Sequence, residues 1–237
     1  MTKAVVLFSG GQDSTTCLFW AIEKWGAEHV HALSVRYGQR HGKEVEQASY
    51  IAGNIANVRH TVLHMPVIGQ IGDSDLLRTD RDIQASGGRA DSETPEGLPT
   101  SFVPGRNTLL LTVAASFAAK LGAEHVVTGV CQTDYSGYPD CRADFVQSLQ
   151  ETLDLGLGAD VTLHTPLMLL TKSDTVHMAR GLGHDCWHAL AHSLTCYYGE
   201  HPGCGDCPAC KVRLNGFSDA GEMDPAWVAF GDSQEVN

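Results

Sequence analysis

The hexapeptide Ser9-Gly10-Gly11-Gln12-Asp13-Ser14 limits what this chain can fold into more than any other stretch. It follows a β-branched and apolar run at residues 3–8. It precedes a helical pattern from Ser14 to about Trp25, which Gly26 stops. Strand, glycine turn and helix open a βαβ unit, and such units build parallel sheets. Two glycines allow φ > 0 and a close approach of backbone to ligand. Unpaired N–H groups at a helix start, reinforced by the helix dipole, suit an anion. The Ser9 and Ser14 hydroxyls can add donors. The loop reads as a phosphate or pyrophosphate cradle, with an ordinary tight turn capped by serine as the plain alternative.

The rest of the chain continues the alternation. A second strand is expected at 29–36 and a helix at 42–56, with Val45, Ala48, Ile51, Ala52 and Ile55 on one face. A third strand follows at 58–64. Residues 66–100, rich in Gly, Asp, Ser and Pro, read as a surface insertion. Then come a helix from Asn107 to Leu121, a fourth strand at 124–130, a helix from about Cys141 to Leu155, a short fifth strand at 161–164 and a helix beginning near Thr171. This order predicts an α/β fold with a parallel sheet.

Composition narrows the function. The chain has 237 residues, 43% hydrophobic and 19% charged, with a net charge of −12. These are values for a soluble globular protein with a sizeable core. Residues 66–100 hold seven acidic residues against three basic, and residues 218–237 hold five acidic and no basic. Nine of the twelve net negative charges thus fall in the insertion and in an acidic tail whose last residues are expected to be loose. The balance argues against gripping nucleic acid by the bulk surface. No apolar run is long enough for a membrane span, and the apolar start is too short for a signal-peptide core, so the cytoplasm is the expected location.

Four of the eight cysteines crowd together as Cys196, Cys204, Cys207 and Cys210, spaced C-x₇-C-x₂-C-x₂-C. Two-residue gaps let thiolates converge on one ion, and four thiolates in a tetrahedron describe a closed, structural zinc site. An iron–sulfur cluster is a competing reading, although the ferredoxin run would need a cysteine where Leu214 stands. A redox C-x-x-C pair is the third. Cys17 reads as a packed core thiol and Cys186 has no evident partner. His184, His188 and His192 share a helical face but match no metal motif.

The phosphate loop is neither a Walker A sequence nor G-x-G-x-x-G. Gly38-Gln39-Arg40-His41-Gly42-Lys43-Glu44 is a near miss, with Glu44 where Ser or Thr should stand. Three further segments fall where strand ends converge, the ligand edge of open α/β sheets. Arg106, after Pro104-Gly105, could neutralise phosphate or simply be solvated at a helix start. The block Gly129–Arg142 offers Tyr135 and Tyr138 to stack on a flat heterocycle, Asp134 or Asp140 to accept guanine-like N–H groups, and Arg142 to meet a carboxylate. It also reads as a polar turn in which Asp140 caps a helix. Lys172 is a phosphate contact or a solvated lysine.

S-G-G-x-D-S after the first strand resembles the PP-loop of the N-type ATP pyrophosphatases. That resemblance implies a doubly wound, five-stranded parallel sheet with helices on both faces, and cleavage of ATP between its α and β phosphates with transfer of AMP to a carbonyl oxygen. The loop, Tyr37–His41, Phe102–Asn107, Gly129–Arg142, Thr165-Pro166-Leu167 and the four cysteines occur in one order. Over residues 3–217 that set resembles the 7-cyano-7-deazaguanine synthase family. The resemblance implies conversion of 7-carboxy-7-deazaguanine and ammonia to the nitrile, using two ATP through an adenylated acid and an adenylated amide. AMP and pyrophosphate are the expected products, rather than ADP.

Carried onto this sequence, the resemblance assigns ATP and its Mg²⁺ to Phe8, Ser9, Gly10, Gly11, Gln12, Asp13, Ser14, Thr15, Thr16, Cys17 and Leu18, with Arg106 and Lys172 as phosphate cations. It assigns the deazapurine to Asp134, Tyr135, Tyr138, Asp140 and Arg142, and one structural Zn²⁺ per chain to Cys196, Cys204, Cys207 and Cys210. It implies small-molecule partners, no membrane, no direct nucleic acid and a homodimer. Residues 1–185 would form the PP-loop domain, 186–217 the zinc-binding segment and 218–237 the tail. With no glutaminase domain, ammonia would be free or supplied by another protein. Rival readings are another PP-loop adenylating amide-forming or tRNA-thiolating enzyme, and a zinc-ribbon module on a degenerate nucleotide domain. The acidic balance and the assignment of the C-x-x-C thiols to metal count against a thiolating enzyme, and the intact loop counts against a degenerate one.

Overall fold

A computed structural model of the chain describes residues 1–72, 74–77, 98–133 and 137–231. The strands β1 (Ala4–Leu7), β2 (Val30–Arg36), β3 (Arg59–His64), β4 (His125–Val127) and β5 (Thr162–His164) form one parallel sheet in the order β3-β2-β1-β4-β5. Val5 of the central strand pairs in register with His31 on one side and Val126 on the other. Ala4, Val5 and Val6 are wholly buried. A strand covered on both faces reads as an unbroken apolar run, which is why this segment does not alternate.

The helices are α1 (Gln12–Trp25), α2 (Lys43–Tyr50), α3 (Val67–Ile71), α4 (Arg106–Leu121), α5 (Ala143–Gly156), α6 (Lys172–Gly181), α7 (His184–Ala191), α8 (Pro208–Asp219) and α9 (Pro225–Phe230). One core joins Val6 and Phe8 to Leu18 of α1, Ala48 of α2, Val176 of α6, Leu190 of α7 and Phe217 of α8. The other sets Val5 and Leu33 against Leu111, Ala114 and Ala118 of α4 and Leu149 and Leu153 of α5. Helices on both faces make the sheet doubly wound. None of the described helices is long and apolar enough to cross a membrane.

Several elements depart from the sequence expectation. The helix expected at 42–56 ends at Tyr50 and continues as a wider π turn over Ile51–Ile55, which keeps Ile51 and Ala52 on the sheet. β4 is shorter than expected, because residues 128–131 leave the ladder to line a cleft. The start of the expected surface insertion is packed: Ile68 of α3 is wholly buried with Val35, Val103 and Leu110. Residues 73 and 78–97 of that insertion lie outside the described residues, as do 232–237 of the tail.

The rest of the tail is ordered. α8 runs past Phe217 to Asp219, and Asp224 starts α9 by accepting the Ala226 N–H at 3.0 Å. This part of the tail is anchored, because one of its acids has a buried partner. Arg213 and Asp224 are each 2% exposed at their side chains, and the guanidinium meets the carboxylate through two bonds of 2.6 and 2.8 Å. The division expected at 185/186 falls inside α7, whose Cys186, Ala189 and Leu190 join the same core as α1.

Candidate active site

The C-terminal ends of β1, β2 and β4 open onto a cleft of about 340 Å³. The strand order reverses direction between β1 and β4, and open α/β sheets bind ligands at such switch points.

One wall is the loop after β1. Gly10 has φ +85°, and a Cβ there would lie 2.8 Å from the Glu44 carbonyl and 2.9 Å from the Ala48 nitrogen. Only glycine fits both demands. The Ser14 hydroxyl accepts the Ser9 N–H at 3.2 Å and donates to the Gly11 carbonyl at 3.1 Å. Gly11 is the helix N-cap and has no side chain to cap α1; Gln12 N–H donates to Thr195 Oγ1 at 3.4 Å, and the helix start with its dipole suits an anion. The C-terminal segment braces this loop: Leu194 N–H donates to the Gly10 carbonyl at 2.9 Å. Arg213 in turn holds Ser193 and Thr195 at 2.7 and 3.2 Å.

Lys172 reaches this wall. Its Nζ lies 3.0 and 2.8 Å from the two Asp13 carboxylate oxygens. A capping box places it there: Thr171 Oγ1 accepts the Asp174 N–H while Asp174 accepts the Thr171 N–H. Gly216 of α8 lets its stem pass, since a Cβ at 216 would lie 2.3 Å from Lys172 Cγ.

The opposite wall comes from distant segments. The Arg106 charge acts on the Tyr37 hydroxyl, and its guanidinium lies 5.7 Å from the Tyr138 ring. The Tyr138 hydroxyl lies 2.7 Å from Ser101 Oγ and interacts electrostatically with Tyr197. Burial raises all three tyrosines above their ordinary range. Glu44 lines the same wall. Burial pushes its carboxyl up to about 7, against the opposing pull of the Arg106 charge.

The structure sorts the sequence candidates. Phe8, Ser9, Asp13, Ser14, Arg106 and Tyr138 line the cleft. Gln12, Thr15, Thr16, Cys17 and Leu18 are buried behind it. Asp140 ties the start of α4, accepting the Asn107 N–H at 3.1 Å, and is not among the lining residues. Arg142 is the exposed N-cap of α5, away from the cleft. Asp134 and Tyr135 lie outside the described residues. Sequence reasoning missed Tyr37, Glu44 and Tyr197 as cleft residues. The only available signals were the position of Glu44 in the near-miss glycine segment and of Tyr197 beside a cluster cysteine.

The four clustered cysteines converge, their sulfurs all within 4.8 Å of one another. Zn–S bonds of about 2.3 Å would put tetrahedral sulfurs about 3.8 Å apart. Cys204 and Cys210 stand 3.9 Å apart. The N–H groups of Asp206 and Cys207 point at Cys204 Sγ, at 3.4 and 3.2 Å. Four soft donors, mostly buried and aimed at one point, fit a single thiophilic cation. None of the eight cysteines is in a disulfide. His184, His188 and His192 do line one side of α7, with ring centroids 6.1 and 5.1 Å apart. Among the described residues, no group of three or more His, Cys, Asp or Glu other than the four cysteines is placed to hold a metal.

The family model for the queuosine biosynthesis protein QueC matches residues 3–221. The chain is 50% identical over 223 residues to the 7-cyano-7-deazaguanine synthase of Chromobacterium violaceum, covering 94% of this chain and 92% of that one. It is 47% identical over 222 residues to the 7-cyano-7-deazaguanine synthase of Laribacter hongkongensis, covering 94% and 93%. Among solved structures it is distantly similar, at 18% identity and a TM-score of 0.47, to a predicted subunit of tRNA methyltransferase from Methanocaldococcus jannaschii, over 76% of this chain and 75% of that one.

Proposed function

The chain belongs to the QueC family of queuosine biosynthesis proteins, and from that premise we propose that it converts 7-carboxy-7-deazaguanine and ammonia to 7-cyano-7-deazaguanine with two ATP. The observation that carries the reading is a helix start and its glycine loop on one wall of a cleft whose other wall is aromatic and charged.

The chemistry explains why ATP is needed. A carboxylate is a poor electrophile. Transfer of AMP to one of its oxygens releases pyrophosphate and turns that oxygen into a leaving group. Ammonia attacks the acyl carbon, AMP departs, and the proton lost from nitrogen leaves the amide. A second AMP transfer to the amide oxygen releases another pyrophosphate. Loss of AMP and of the remaining N–H protons then leaves the C≡N bond.

The chain's own groups suit each demand. The α1 start and the Ser9 and Ser14 hydroxyls would receive the departing pyrophosphate, and Lys172 would shift from Asp13 toward the phosphates as charge develops. Mg²⁺ travelling with ATP would supply further charge neutralisation, with Asp13 as the carboxylate beside the loop. Tyr37, Tyr138 and Arg106 would flank the flat deazapurine. The four cysteines would hold one structural Zn²⁺, which supplies no chemistry and keeps the 190–210 segment against the phosphate loop.

Incubating the protein with ATP, Mg²⁺, ammonia and 7-carboxy-7-deazaguanine tests the reading. Nitrile with about two AMP per product is expected. AMP release without nitrile would retain the adenylating chemistry and sink the proposed product.

A further inference from the structure

Among the described residues the cleft is lined by two carboxylates, Asp13 and Glu44. Asp13 is held by Lys172. The Glu44 side chain is half-buried in the cleft wall, and no hydrogen bond or ion pair links it to a described residue. A carboxylate that faces a cleft without a protein partner keeps its acceptor oxygens for a ligand's donors. Its place is fixed. Glu44 opens α2, and its backbone carbonyl abuts Gly10, so the side chain stands at a set distance from the phosphate loop.

Its neighbours select the ligand. Arg106 and the tyrosine hydroxyl of Tyr37 both act on it electrostatically. A guanidinium close by disfavours a metal cation at Glu44. A neutral planar ring with adjacent N–H donors suffers no such penalty. The tyrosine-lined wall favours the same shape.

Resting on the function proposed above, we propose that Glu44 is the specificity-determining acceptor for the base, its two oxygens taking the ring N1–H and the exocyclic 2-amino group of a guanine-type heterocycle. Two parallel bonds to one carboxylate fix the ring plane and orient its far edge toward the loop. An analogue lacking the amino group leaves one oxygen buried and unpaired, which is the strong form of discrimination.

The test compares 7-carboxy-7-deazaguanine with 7-carboxy-7-deazahypoxanthine, which lacks only the 2-amino group. AMP release is measured for the full-length wild type, Glu44→Gln and Glu44→Ala, with metal content and circular dichroism confirming that each is folded. The wild type is expected to favour the amino compound in kcat/KM by on the order of 10²–10⁴. In Glu44→Ala the ratio should collapse toward one. In Glu44→Gln it should fall at least tenfold, mainly through KM, because the amide presents a donor where an acceptor is needed. The ratio is internal to each variant, so partial loss of activity does not blur it. Wild-type discrimination retained in both variants, or absent from the wild type, overturns the proposal. A wild type that makes no nitrile from 7-carboxy-7-deazaguanine overturns the function itself, a distinguishable failure.

Discussion

The two walls of the cleft are assembled by opposite routes. The loop wall is six consecutive residues, Ser9 to Ser14, whose working groups are mostly backbone. The far wall is Tyr37, Glu44, Arg106, Tyr138 and Tyr197, side chains gathered from five separate segments. Neighbouring N–H groups come from neighbouring residues, so an anion cradle must be contiguous in sequence. A surface that reads a heterocycle has no such constraint. What joins the walls is the C-terminal segment, which bonds the loop through Leu194 and supplies Tyr197 to the far wall.

The largest expected effect therefore comes from cutting that joint. Structural zinc contributes apparent binding free energies of about 10–16 kcal/mol in small domains. Cys207→Ser removes one of four converging thiolates. Metal content and unfolding midpoint should drop together, and both walls should lose activity at once. Zinc measurement alongside thermal unfolding checks it. A metal-free variant that stays folded and active would refute a structural metal and break the link between the walls.

Arg213 tests the same joint without touching the thiols. It holds Asp224, Ser193, Thr195 and the Leu190 carbonyl from inside the protein. Arg213→Met leaves Asp224 buried and unpaired, which should cost about 3–5 kcal/mol in urea unfolding. A loss below about 1 kcal/mol would mean that the loop is held by its own turn alone.

Asp13→Ala addresses the loop wall alone. Lys172 loses its Asp13 contact and the loop its only carboxylate. AMP release should fall by about 10²–10³, the scale of losing one group that stabilises transition-state charge. Metal content and stability should stay unchanged. Unaltered turnover would remove this wall from the chemistry.

These effects track what the sequence makes legible. The β1–loop–α1 unit, the Thr171–Asp174 capping box and the four cysteines are all local patterns, and their spacing alone announces geometry. The strand and helix order was equally readable, because burial on both faces of the sheet leaves long apolar runs. The far wall was legible only in part, since Arg106 and Tyr138 stood among the candidates while Glu44 and Tyr197 did not. Glu44 looked like a failed Walker residue, because nothing near it in sequence reveals the Arg106 charge it faces. Asp140 looked like a ligand for a base, yet its partner is the backbone of Asn107. Asp224 reads in sequence only as one of five acids in the tail, and the fold sets Arg213 against it. In each case the partner that decides the role sits on another element.

Tyr197→Phe is the mildest cut and the sharpest test of the contrast. Tyr197 follows a cluster cysteine directly, and its hydroxyl acts electrostatically on Tyr138, which lies beside Arg106. Phenylalanine keeps the ring and its packing and deletes only the hydroxyl, a net loss of about 1 kcal/mol. If the far wall reads the base, the loss should fall on the deazapurine, raising its KM by about fivefold while the KM for ATP and the metal content hold. An equal rise for ATP would show the two walls behaving as one surface, since a hydroxyl on the tyrosine side would then govern the phosphate side as well.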